Sequence, residues 1–178
     1  MVKKKAKSPK AAVKASTPKA AESDRSPVIM TELVLPSHTN ALGTIFGGVV
    51  MGWIDIAGAI AAQRYCRSPV VTVSIDYLHF IVPIKIGYTV RIQATVTHAG
   101  TTSMETEVVV DAENAITGEV KRATHAYLTY VAIDGQGRSQ KVPEFTAKTS
   151  DEKKSLENAK KRRQRRLEWM AEGALGGK

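Results

Sequence analysis

The stretch from Phe46 to Cys66, FGGVVMGWIDIAGAIAAQRYC, constrains this chain more than any other. It is too long for one strand and apolar on nearly every side, the pattern of a helix enclosed by other elements. Such a helix requires a wrapper, and the flanking segments can supply it. Val28–Leu35 (VIMTELVL) reads as a strand that Pro36 ends. After the helix come four longer strand-like stretches: Val70–Val82, Tyr88–His98, Thr102–Asp111 and Glu119–Ile133. In the second, Val90, Ile92, Ala94 and Val96 alternate with Arg91, Gln93, Thr95 and Thr97, as in a half-buried strand of an antiparallel sheet. Ala99–Thr101, Asn114–Gly118 and Asp134–Gly137 provide turns between and after them. The predicted class is α+β: one antiparallel sheet wrapped around one long central helix. A sheet of this kind leaves open edges and apolar surface, so pairing into a dimer is expected.

The net charge of +9 raises the question of a polyanion partner, and its distribution answers it. Residues 1–25 hold eight basic and two acidic side chains, a balance of +6, and residues 148–178 hold ten and five, a balance of +5. The middle, 26–147, holds eight and ten, a balance of −2. The domain itself therefore has no basic excess, which argues against a specific nucleic-acid groove built into the fold. The chain divides into a disordered basic tail (1–25), a central domain (26–147) and a charged C-terminal helix (148–178). That helix takes Ser150 as its N-cap and Gly173 as its stop. Its KKRRQRR run reads as a solvated face, with the last turn (Leu167, Trp169, Met170) docking lightly. Cys66 is the only cysteine, so there is no internal disulfide and no cysteine-based zinc site. No uninterrupted apolar run reaches the ~18–20 residues of a membrane span, and no hydrophobic stretch follows the basic start, so neither membrane insertion nor secretion is expected. A reducing, cytoplasmic setting follows.

Asp55 is the residue that invites a chemical reading. It is the one charge between Gly43 and Gln63, and a carboxylate in apolar surroundings is costly unless compensated. Helical spacing sets Gly48, Met51, Gly52, Gly58, Ala59 and Ala62 on its face. Small residues beside an acid leave room for a ligand, although a locally bonded carboxylate would fit the same pattern. Gly47 and Gly48 fall at the helix start, where free N–H groups can hold a developing oxyanion. Asn40, just before, offers an amide to water or a carbonyl, or simply forms a turn. The four histidines show no metal spacing, and there is no GxSxG elbow. Cys66 reads as packing.

With these residues in place, the chain resembles the hot-dog acyl-CoA thioesterases, the group of broad-specificity bacterial and brain-type acyl-CoA hydrolases. The likeness runs from about Met30 to Glu144 through Leu35-Pro36, Asn40, Gly43, Ile45–Gly48, DIAGA (55–59), VTVSID (71–76), FIVPIKIG (80–87), GTTSM (100–104) and ATHAYLTYVAID (123–134). The resemblance implies hydrolysis of acyl-CoA to a free acid and coenzyme A, without a dissociable cofactor or metal. It implies Asp55 as general base or nucleophile, and Asn40 positioning water or thioester from across a dimer interface. Gly47 and Gly48 would bind the thioester oxygen. Thr101, Thr102 and Ser103 would meet the coenzyme A moiety, and Arg122 would neutralise phosphate, unless it is an ordinary surface charge. A homo-oligomer, a trimer of dimers, is implied as well. The rivals are a hydratase or dehydratase on acyl thioesters, and a non-catalytic acyl-CoA-binding scaffold with polyanion-binding tails.

Overall fold

The computed structural model describes residues 23–173; most of the segment expected to be a disordered tail (residues 1–22) lies outside them. The element order is β1 (Val28–Leu33), α1 (Gly47–Cys66), β2 (Val70–Phe80), β3 (Thr89–Ala99), β4 (Ser103–Asn114), β5 (Glu119–Ala132) and α2 (Ser150–Ala171), with a single 3-10 turn at Pro36–His38. All strand pairs are antiparallel, in the order β1-β3-β4-β5-β2. Helix α1 crosses one face of this sheet. Alternation sets Ile92, Ala94, Val108, Val110, Ala126, Leu128 and Tyr130 beneath it, all fully buried, against Val50, Ile54, Ala57 and Ala61 of the helix. The predicted helix and the four later strands are each found within a few residues of their expected bounds. The left-handed Arg67, φ 54°, turns the chain from α1 into β2.

The helix is not enclosed on every side by its own chain. Met51 and Ile56 are 39% and 51% exposed, and Gly48 and Gly52 lie on the same open flank. Beside that flank runs β2, which pairs only with β5 and shows Val71, Val73, Ile75 and Tyr77 to solvent. A five-stranded sheet covers one side of a helix, so all-round apolarity here points to a second body across the open side.

Helix α2 departs from its expected seating. Thr149, not Ser150, is the N-cap: its hydroxyl accepts from the Glu152 N–H at 3.1 Å, and Glu152 returns a bond to the Thr149 N–H. The helix docks through its middle on the sheet face opposite α1. Ala159 is fully buried, whereas Leu167, Trp169 and Met170 of the last turn stay 41–51% exposed. Arg162 grips Glu105 of β4 with two bonds, Nε to Oε2 at 3.0 Å and Nη2 to Oε1 at 2.7 Å, and lies 3.5 Å over the Tyr127 ring of β5. Arg166 pairs with Asp76 of β2. The basic run is therefore partly a docking surface, because long guanidinium side chains reach carboxylates that the strands hold out from the sheet. Packed along β3, α2 reaches β4, β5 and β2 with its long side chains, toward the open β2 edge. At the other terminus Arg25, grouped by composition with the tail, bonds the Thr146 carbonyl at 2.7 Å, pairs with Glu152 and covers the Phe145 ring.

Candidate active site

Asp55 sits at the border between the covered and open flanks of α1, partly buried. Two hydroxyls from the sheet reach its carboxylate. Thr72 of β2 donates to Oδ1 at 2.7 Å, and Tyr130 of β5 stands 3.1 Å from Oδ1 and 2.9 Å from the Asp55 carbonyl oxygen. These two strands are neighbours, with Thr72 and Tyr130 directly opposite, so the sheet delivers both donors to one point. Both converge on Oδ1, which leaves Oδ2 to take a proton. Among the described residues the carboxylate is thus compensated by neutral donors rather than by a cation.

Neither donor was singled out on sequence grounds. Tyr130 falls within ATHAYLTYVAID (123–134) and Thr72 within VTVSID (71–76); only the strand register brings them to Asp55.

The remaining candidates are spread over the domain. Gly47 and Gly48 occupy the first turn of α1, where the Val49 and Val50 N–H groups turn back to the Phe46 carbonyl at 2.9 and 3.4 Å. The two glycine N–H groups precede the first intrahelical bond and so have no partner within the helix. The Phe80 ring packs against Gly47, 3.4 Å from where a Cβ would stand. A cleft of about 330 Å³ opens here, lined by Thr44, Gly47, Phe80 and Pro83 among others. Asn40 closes its own loop: Oδ1 accepts from the Leu42 and Thr44 N–H groups at 2.9 and 3.3 Å, and Nδ2 lies 3.0 Å from Thr44 Oγ1. Asp55 lies eight residues beyond Gly47, about 12 Å along the helix. One chain therefore does not bring Asn40 and the helix start onto Asp55.

Thr101, Thr102 and Ser103 form the β3–β4 turn, tied by Gly100 N–H to the Ser103 carbonyl at 2.8 Å. The Thr101 and Thr102 carbonyls accept from Val142 and Ala132 at 3.0 Å each. Arg122 is far from this turn: Ser103 faces Val131 and Asp111 faces Arg122, a separation of nine residues or about 30 Å along β5. Its Nε bonds Asp111 Oδ1 at 2.5 Å, so it serves first as a cross-strand ion pair. Cys66 has its thiol against the Ser68 carbonyl at 3.5 Å, and burial pushes that thiol up, away from a reactive thiolate.

Residues 42–119 match the family model of the thioesterase superfamily. An "uncharacterized acyl-CoA thioester hydrolase" of Bacillus subtilis is 39% identical over 136 residues, covering 76% of this chain and 79% of that protein. The human cytosolic acyl coenzyme A thioester hydrolase is 38% identical over 75% of this chain, but the match spans only 36% of the human protein's length. Among solved structures, an apo-hexameric acyl-CoA thioesterase aligns with a TM-score of 0.79 at 42% identity, covering 83% of this chain and 94% of its own. The acyl-CoA hydrolase of Staphylococcus aureus, solved with butyryl coenzyme A and coenzyme A, aligns with a TM-score of 0.77 at 34% identity, covering 84% and 91%. Alanine variants of an aspartate, a threonine and an asparagine of that hydrolase have been solved too.

Proposed function

Because this chain belongs to the thioesterase superfamily, with its hot-dog fold, we propose that it hydrolyses acyl-CoA thioesters to a free carboxylic acid and coenzyme A in a site shared by two copies. The observation that carries the shared site is the layout of β2. One end, at Thr72, holds Asp55; the other, at Phe80, packs on Gly47 beside the Asn40 loop. The outer edge of this strand is open. A second copy pairing there antiparallel sets its Phe80 end against the first copy's Thr72 end. Its helix start and Asn40 then approach the first copy's Asp55, and the exposed Met51 and Ile56 gain cover. The hexameric relatives and the trimer-of-dimers expectation accord with this pairing. Spacing supports the residue choice as well. In the Staphylococcus aureus hydrolase the three substituted positions, asparagine, aspartate and threonine, lie fifteen and then seventeen residues apart, as do Asn40, Asp55 and Thr72 here.

In this reading Asp55 Oδ2 removes a proton from water as the water oxygen attacks the thioester carbon. The Gly47 and Gly48 N–H groups of the second copy, with the helix dipole behind them, hold the oxyanion that forms. Asn40 of the second copy orients the water or the carbonyl. Collapse breaks the carbon–sulfur bond, and the departing thiolate recovers the proton from Asp55. Thr101, Thr102 and Ser103 contact the coenzyme A moiety through hydroxyl and N–H groups, and Arg122 is a phosphate ligand only where a ligand displaces Asp111. Among the described residues no helix is long and apolar enough to cross a membrane.

Subunit mixing tests the shared site. Asn40→Ala and Asp55→Asn proteins, each nearly inactive, regain activity when their subunits exchange, because one of the two sites in a mixed dimer receives both intact residues. Thiol release from acyl-CoA is the readout. Mixtures that exchange subunits, as shown by mass-tagged chains, yet stay inactive would mean that each site is built from one chain.

A further inference from the structure

We propose that Tyr130 is a positioning residue for Asp55, and that position 58 is glycine in order to admit it; the inference rests on Asp55 being the base. The Tyr130 ring is fully buried under α1, and its hydroxyl lies within 2.9 Å of the Asp55 carbonyl oxygen and 3.1 Å of Oδ1. One donor thus addresses both the backbone and the side chain of the same residue. Close approach is possible only because Gly58, three residues along the helix, has no side chain. A Cβ there would overlap the Tyr130 hydroxyl and stand 2.9 Å from Thr106 Oγ1. Glycine inside a helix costs about 1 kcal/mol relative to alanine, so the opening is kept against the helix's own preference.

The groups that face Asp55 are few. Thr72 comes from β2, Tyr130 from β5, and the Thr106 hydroxyl of β4 lies beside the Tyr130 oxygen; along α1 there is no other charge from Gly47 to Gln63. Tyr130 is the titratable one. Burial, then the Asp55 charge, push its phenol far above the usual tyrosine range. It therefore stays protonated and acts on the carboxylate as a donor. Donation to Oδ1 fixes the orientation of the carboxylate and leaves Oδ2 without a hydrogen bond among the described residues. A tyrosine that only filled space would not orient it.

Tyr130→Phe removes the donor and keeps the ring. The expected result is a fall in kcat of about tenfold with KM nearly unchanged, and an acidic limb of kcat/KM displaced toward higher pH. A fluorinated tyrosine placed at position 130 keeps the shape, stays protonated and donates more strongly, so it moves the limb the opposite way. That variant also serves if the phenylalanine protein is too unstable to assay. The ¹³C carboxyl resonance of Asp55, identified by its loss in Asp55→Asn, follows the same protonation without turnover. Opposite displacements in the two variants support the proposal. An Asp55 titration unchanged in both, even with a lowered melting temperature, overturns it and leaves Tyr130 as packing. A wild-type protein inert toward acyl-CoA would defeat the assigned reaction, while the resonance comparison would still decide the role of Tyr130.

Discussion

Asp55→Asn is expected to abolish hydrolysis and to leave coenzyme A binding intact. The amide keeps the size of the carboxylate and can still accept from Thr72 and Tyr130 through its oxygen, so α1 and its contacts survive. What disappears is the proton acceptor. Loss of a general base lowers turnover by about 10²–10⁴-fold, and here no second carboxylate stands on α1 near Asp55 to replace it. Steady-state thiol release, with calorimetric binding of coenzyme A as the control, checks both halves. A variant that keeps a third of wild-type turnover would remove Asp55 from the chemistry.

A comparably large effect, on stability this time, is expected on the opposite face of the sheet. Glu105 is only 4% exposed, and Arg162 makes both of its long-range ionic bonds; Thr97 adds a hydroxyl to Oε1 at 2.6 Å. Arg162→Ala leaves a buried carboxylate without its cation. Breaking such a pair typically costs about 3–5 kcal/mol, most of it the penalty of the orphaned charge. For a domain of this size that is a loss of roughly 6–20 °C in melting temperature. Adding Glu105→Gln recovers part of the loss, since the double variant buries no unpaired charge. Thermal unfolding of the three proteins measures it. Asp55 lies on the other face, so turnover below the melting transition should persist. A shift under about 1 kcal/mol in Arg162→Ala would mean that Ala159 and the Arg166 pair hold α2 unaided.

How much of this was legible in the sequence depends on the range of each signal. The apolar run of α1 and the alternation from Val90 to Val96 are local patterns, and both elements formed where they pointed. Asp55 stood out because its anomaly, one charge in an apolar helix, is also local. Thr72 and Tyr130 could not be recognised, because their meaning depends on strand register and on two residues 58 positions apart meeting in the sheet. The seating of α2 misled for the same reason. Charge runs usually face water, and nothing near KKRRQRR discloses that Glu105 and Asp76, far earlier in the chain, wait on the outer face. The open flank of α1 was not anticipated: all-round apolarity was read as enclosure by the sheet, whereas Met51 and Ile56 stay exposed on a flank that the sheet does not cover.

The position of α2 in the chain has a consequence for how the protein is made. Its platform is assembled from β2, β3, β4 and β5, all of which leave the ribosome before it does. Until the helix arrives, Glu105 and Asp76 are solvated carboxylates on a bare sheet, and their repulsion discourages neighbouring chains from stacking there. When Arg162 and Arg166 settle, the same two charges become ties. The acids thus guard the unfinished sheet and then secure the finished one, so nascent chains lacking α2 should remain dispersed on this face yet be cut readily by proteases.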